Sequence, residues 1–183
     1  FAVLKKPEEA VKTYQALLKD APNYADAAGV LYELGWSLRT LKRDDEAKQA
    51  FARLAAEFGQ SQFGPEAHYL LGEYHFADKA YDKALAEYEA AIKNPPPGSL
   101  AEKIHYRTGW AHYRLQQYDK AQAAFQKQLG VAVSGPLAAE GLFMLGESYF
   151  QQNKFAEALP AYNQALAKKL ASKDFEVLAL LHA

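Results

Sequence analysis

The sequence has no cysteine, which excludes disulfides, thiolate metal ligands and cysteine nucleophiles together while leaving reducing and oxidising compartments equally open. It also has almost no surplus charge. Its 21 lysines and arginines stand against 22 aspartates and glutamates, so no field of one sign exists to hold a phosphate backbone or anionic lipid. Nucleic acid is therefore not an expected partner. No apolar run approaches the ~18 residues a spanning helix needs, so this segment is not expected to insert into a membrane. The first residues, Phe1-Ala2-Val3-Leu4-Lys5-Lys6, offer neither a starting Met nor the layout of a signal peptide, and the chain reads as cut at that end. What is present is apolar: half of the 183 residues are hydrophobic, enough for a substantial core and against disorder.

The glycines are spaced rather than clustered. Gly35, Gly72, Gly109 and Gly146 lie 37 positions apart. Twelve residues after each stands an alanine, Ala47, Ala84, Ala121 and Ala158, and one step back lies Ala10. Four residues after each alanine stands an aromatic: Tyr14, Phe51, Tyr88, Phe125 and Tyr162. Three coupled series at one spacing mark a repeat. Apolar residues recur at three and four positions within each unit, which predicts two helices per unit and no strand. Glycine and alanine at facing positions let two helix axes approach, with the aromatic filling the remaining space. Breakers fall between helices, as in Asn94-Pro95-Pro96-Pro97-Gly98 and Ser134-Gly135-Pro136. Ser99 with Glu102 has the spacing of a capping box opening the next helix. The fold class predicted is all-α, a right-handed solenoid of antiparallel helix pairs with a 37-residue period. The units expected are a half repeat at 1–24, repeats at 25–61, 62–98, 99–135 and 136–171, and a half repeat at 172–183.

This pattern resembles the tetratricopeptide repeat, whose signature is W-x2-L-G-x2-Y, then A-x3-F, then P. Leu34-Gly35, Leu71-Gly72 and Leu145-Gly146 carry the L-G pair, with Thr108-Gly109 in the third unit. Ala47-x3-Phe51, Ala84-x3-Tyr88, Ala121-x3-Phe125 and Ala158-x3-Tyr162 carry the second half. Two departures are evident. The first signature position is Leu31, His68, His105 or Leu142, never Trp, and the period is three residues longer than the usual 34. The long connector at 58–67 is similar to those of bacterial cell-envelope members of the superfamily, of the Tol-Pal accessory and outer-membrane assembly lipoprotein type. That resemblance implies a periplasmic or envelope location.

Chemistry is sparse. His68 and His75 lie seven apart, as do His105 and His112, but they fall at packing positions of the signature and read as packed side chains rather than metal ligands. His182 stands alone. Asp45, Asp82 and Asp119 open helices, where the helix dipole favours them. No nucleophile-base pair can be assembled and no phosphate loop is present, so neither an enzyme nor a cofactor is expected.

A second stripe on the first helix of each unit is more informative. Three residues before each glycine stands Tyr32, Tyr69, Tyr106 or Phe143. Directly after it stands Trp36, Glu73, Trp110 or Glu147, and four after it Arg39, Phe76, Tyr113 or Phe150. These offsets form one face of a helix, distinct from the Leu-Gly packing face. In the resembled family that face lines the concave surface where ligand segments lie. With Arg114 and Arg39 at its edge, the face predicts a groove for a protein or peptide partner with apolar anchors. Trp or Glu replaces the asparagine and lysine with which some family members clamp terminal carboxylates, which disfavours that ligand class. The alternative is a structural spacer or self-association module, in which the groove is filled by a flanking helix. Phe175, Val177, Leu178, Leu180 and Leu181 would leave apolar surface uncovered at the end, so end-to-end association is also expected.

Overall fold

The computed structural model describes residues 6–21, 24–94, 96 and 98–182. Among them ten helices follow one another and no strand occurs: α1 (Pro7–Asp20), α2 (Ala27–Thr40), α3 (Asp44–Phe58), α4 (Gly64–Ala77), α5 (Tyr81–Lys93), α6 (Gly98–Arg114), α7 (Tyr118–Val131), α8 (Ala138–Phe150), α9 (Phe155–Ala167) and α10 (Lys173–His182). Contact is most extensive within the pairs α2/α3, α4/α5, α6/α7 and α8/α9, and each helix otherwise packs mainly on its neighbours in sequence. This is a solenoid.

The repeated residues make the same contact four times. A Cβ placed on Gly35, Gly72, Gly109 or Gly146 would lie 2.5, 2.3, 2.6 or 2.7 Å from the ring of Phe51, Tyr88, Phe125 or Tyr162. The absence of a side chain on the first helix is thus what admits the aromatic of the second. Ala47, Ala84 and Ala121 are fully buried, Ala158 is 1% exposed, and the four rings are at most 1% exposed. These pairs are the densest points of the core.

Each helix pair is joined by the same turn. Lys42, Lys79, Gln116 and Asn153 take φ of 57–60°, and the following N–H reaches back to a helix carbonyl, as in Arg43 N to Leu38 O (3.0 Å) and Ala80 N to His75 O (2.8 Å). That is the Schellman ending, with a left-handed residue just past the helix. The first turns of α3, α5 and α7 hold Asp45, Asp82 and Asp119 as expected.

One local expectation is corrected. The helix after the proline run begins at Gly98, so Ser99 lies within it rather than capping it. Glu102 does not turn back to Ser99. It is 2% exposed and accepts from Leu137 N (3.2 Å) and Gln128 Nε2 (3.4 Å). The carboxylate pins the α7–α8 connector instead of opening α6.

Candidate functional site: an aromatic rank across the first helices

The residues singled out on the first helices form a continuous rank. On α2, Tyr32 and Trp36 meet edge to face with ring centroids 6.3 Å apart, and Arg39 lies 4.8 Å above Trp36. On α6, Tyr106, Trp110 and Tyr113 repeat the arrangement at 6.4 and 6.1 Å, with Arg114 5.5 Å from Trp110. On α4, Phe76 is covered by Arg107 of the next first helix at 5.2 Å. Guanidinium groups over ring faces fix ring and cation together, and Trp36 Nε1 is buried. Tyr32, Trp36, Arg39, Tyr69, Glu73, Phe76, Tyr106, Trp110 and Tyr113 are all part-exposed, and Arg114 is exposed.

The rank alternates between two kinds of unit. Where the residue after the glycine is Trp, the facing second-helix aromatic is Phe51 or Phe125. Where it is Glu, the facing residue is Tyr88 or Tyr162, which donates its hydroxyl to Glu73 Oε1 (2.6 Å) or Glu147 Oε1 (2.7 Å). A cationic or imidazole group from the next first helix completes each carboxylate: Arg107 lies 2.8 Å from Glu73, and His182 Nδ1 lies 2.9 Å from Glu147. Tyr113 adds a longer bond of 3.4 Å to Glu147 Oε2. Burial first, then the neighbouring carboxylate, pushes the Tyr88 and Tyr162 hydroxyls well above their ordinary range. The same causes carry Tyr32, beside Glu66 at 2.8 Å, up to about 12. Glu73 and Glu147 are therefore structural acceptors already engaged.

The two ends of the rank differ. Over α8, Phe143 is 2% exposed and Glu147 8%, because α10 lies across them. Phe175 stacks on Phe143 at 4.5 Å and on Trp110 at 6.3 Å, and His182 stacks on Phe150 at 4.1 Å. These three members of the predicted groove are covered by the flanking helix. Phe175, expected to be left bare, is one of the covering residues, and His182, which the sequence left without a role, closes the end of the rank. A smaller version of the contact occurs at the other end, where Phe63 stacks on Tyr32 at 4.7 Å. The outer face of α10 is apolar and open, with Val177 55%, Leu180 62% and Leu181 72% exposed.

Two of the histidines at the signature positions have separate partners rather than a shared one. His68 Nδ1 lies 2.7 Å from Glu87, and His112 Nδ1 lies 2.9 Å from Gln117. They are part-exposed, less enclosed than packing positions suggest. Among the described residues no three His, Cys, Asp or Glu side chains come together, and no helix is long and apolar enough to cross a membrane.

A stack of antiparallel helix pairs, each built on the same glycine–aromatic contact, is the architecture of a helical-repeat protein. The profile of the tetratricopeptide repeat family matches residues 3–62, 32–99 and 106–174, and the chain belongs to that family. No curated protein matches it in sequence. Among solved structures it is similar to MamA, with a TM-score of 0.71 at 22% identity over 88% of each chain. It is similar to the apo form of RapI, with a TM-score of 0.74 at 15% identity over 96% of this chain and 53% of that one. A tetratricopeptide repeat protein from Parabacteroides merdae aligns with a TM-score of 0.69 at 19% identity, covering 88% of this chain and 60% of that one. At these identities the likeness is one of fold.

Proposed function

We propose that the chain is a non-catalytic scaffold that binds a protein segment along the open part of the aromatic rank, from Tyr32 and Trp36 on α2 through Tyr69 and Phe76 to Tyr106, Trp110 and Tyr113 on α6. One observation carries the reading. These rings cross three successive helices and all stay part-exposed, while arginines hold the two tryptophans in place from above. Rigid aromatic anchors at a fixed spacing suit a partner helix or extended segment with its own apolar anchors. The way Phe175 settles between Phe143 and Trp110 supports the kind of side chain such a partner would bring. The acidic positions serve as braces rather than as stations for the ligand, since both carboxylates already have partners. The connector at 58–67 supports placing such a scaffold in a bacterial cell envelope.

Trp36 and Trp110 are the only tryptophans, so intrinsic fluorescence reports directly on the proposed groove. A panel of amphipathic helical peptides bearing phenylalanine and leucine at i, i+3 and i+7 should shift and saturate that emission. Trp36→Ala should weaken the binding by about 30-fold or more, in line with the ~2 kcal/mol of an anchoring Trp, while the melting temperature moves little. A variant that binds normally but melts many degrees lower would put the ring in the core and end the reading.

A second reading, self-association, rests on the open face of α10 with Val177, Leu180 and Leu181. Light scattering at millimolar concentration tests it, and a strict monomer counts against it.

A further inference from the structure

Two furrows of matching build run along the array, two units apart. One lies between α1, α2 and α3, measures about 300 Å³ and is floored by Leu31, Leu34 and Leu38. The other lies between α5, α6 and α7, measures about 270 Å³ and has His105, Thr108 and His112 at those same three places, each 74 positions further on. At 100° per residue, this stripe lies roughly 140° around α6 from Tyr106, Trp110 and Tyr113. The furrow therefore opens away from the aromatic rank.

The same scaffold thus uses leucine in one furrow and imidazole in the other. Burial, followed by the nearby Lys127, pushes the His105 imidazole below its ordinary value. Burial likewise lowers His112, with Lys120 adding to it, against the Gln117 hydrogen bond and Glu89. Both rings are held in a setting that disfavours their charged form. A polar residue kept where the equivalent position shows that leucine fits is a departure from local packing preference, and such departures cluster at functional sites.

We propose that the α5–α7 furrow is a second docking surface that takes an acidic helical segment of a partner protein, with carboxylates received by His105 and His112. Charge identifies the occupant. Lys120 and Lys127 of α7 flank the two imidazoles, and the one carboxylate lining the furrow is Glu89 of α5. Spacing agrees. Residues seven apart on a helix lie on one face about 10 Å apart, which glutamates seven apart on a ligand helix would match, and the part-exposed Ile92 adds apolar lining to the furrow.

The hydrogen bond at His112 gives the mechanism. Gln117 Oε1 accepts from Nδ1–H at 2.9 Å, which leaves Nε2 bare in the neutral ring, and proton uptake makes Nε2 a donor to an incoming carboxylate. The groups facing the imidazoles are Tyr88 and Glu89 from α5 and Lys120 and Lys127 from α7. The imidazoles are the lining groups whose ordinary titration range lies near neutral pH, and burial holds both of them below it. A ligand carboxylate favours the charged ring, so binding takes up protons and tightens as pH falls.

The probe is a fluorescein-labelled synthetic helical peptide with two glutamates seven apart and leucines between, followed by anisotropy. Binding should be about tenfold tighter at pH 5.5 than at pH 7.5, and the peptide with glutamine in place of glutamate should bind at least about tenfold more weakly at pH 5.5. His105→Leu/His112→Leu copies the α1–α3 furrow, so it should fold, melt higher than the parent and lose the pH dependence. His105→Gln/His112→Gln keeps polar side chains and should lose it too, whereas Trp36→Ala should leave it intact. The proposal is overturned by no saturable binding at pH 5.5, by equal affinity in the double variants, by equal tightening with the glutamine peptide, or by a leucine double variant that melts below the parent.

Discussion

The rank of residues on the first helices is one pattern with two fates. Along α2, α4 and α6 its rings stay part-exposed, whereas over α8 Phe143, Glu147 and Phe150 lie beneath Phe175 and His182 of α10. The residue types at the two ends are nearly the same, and so are their offsets from the repeating glycines. What separates an open face from a core in a solenoid is therefore the neighbour, since each helix presents the same face and the next helix decides how much is covered.

The sharpest way to break that contrast is to truncate equivalent rings. Phe143→Ala should cost about 3–5 kcal/mol, the range for a fully buried aromatic, whereas Tyr32→Ala, at the open end, should cost about 1–2 kcal/mol. Urea denaturation measures both, and equal losses would mean that the open rings are core after all. Next in size are the glycines, which serve as a control because the glycine–ring contact is alike at both ends. Gly72→Val and Gly146→Val should each lose about 1–3 kcal/mol through overpacking against Tyr88 and Tyr162. A loss of only a few tenths at either site would remove the close contact from the account of the fold.

The smallest effect tests the carboxylate braces. Tyr162→Phe should cost about 2 kcal/mol and Tyr88→Phe about 1 kcal/mol, because a carboxylate deprived of a donor costs more the deeper it lies, and the Glu147 side chain is 10% exposed against 25% for Glu73. Both hydroxyls have folded-state pKa values raised above the ordinary 10. Their contribution is fully present below pH 10 and is lost as pH rises above it. The gap between parent and variant should accordingly close on the alkaline side, and a gap that widens there would contradict the hydrogen-bond assignment.

Much of this organisation was legible in the sequence, because glycine, alanine and aromatic at fixed offsets are the very atoms in contact: the ring of Tyr88 needs both the missing Cβ of Gly72 and the small Ala84. The face bearing Tyr32, Trp36 and Tyr69 followed from helical offsets alone. Its closure over α8 was not legible, since it depends on where Phe175 and His182 land, one position out of step with the series. Glu147 to His182 spans 35 residues where Glu73 to Arg107 spans 34. Glu102 was misread for a related reason. A capping box and a buried brace share the same spacing from Ser99, and only the approach of Gln128 and Leu137 tells them apart.

The alternation of tryptophan and glutamate units also constrains how such a gene can lengthen or shorten. Duplicating the unit that carries Glu73 would set a copy of Leu70 where Arg107 now stands, and one carboxylate would lose its cation. Duplicating 62–135 as one block keeps Arg107 beside each copy of Glu73 and leaves His182 beside Glu147, whereas duplicating 25–98 would set a copy of Glu33 opposite Glu73. The braces therefore tolerate lengthening only when the Glu73 unit is copied together with the Trp110 unit that follows it.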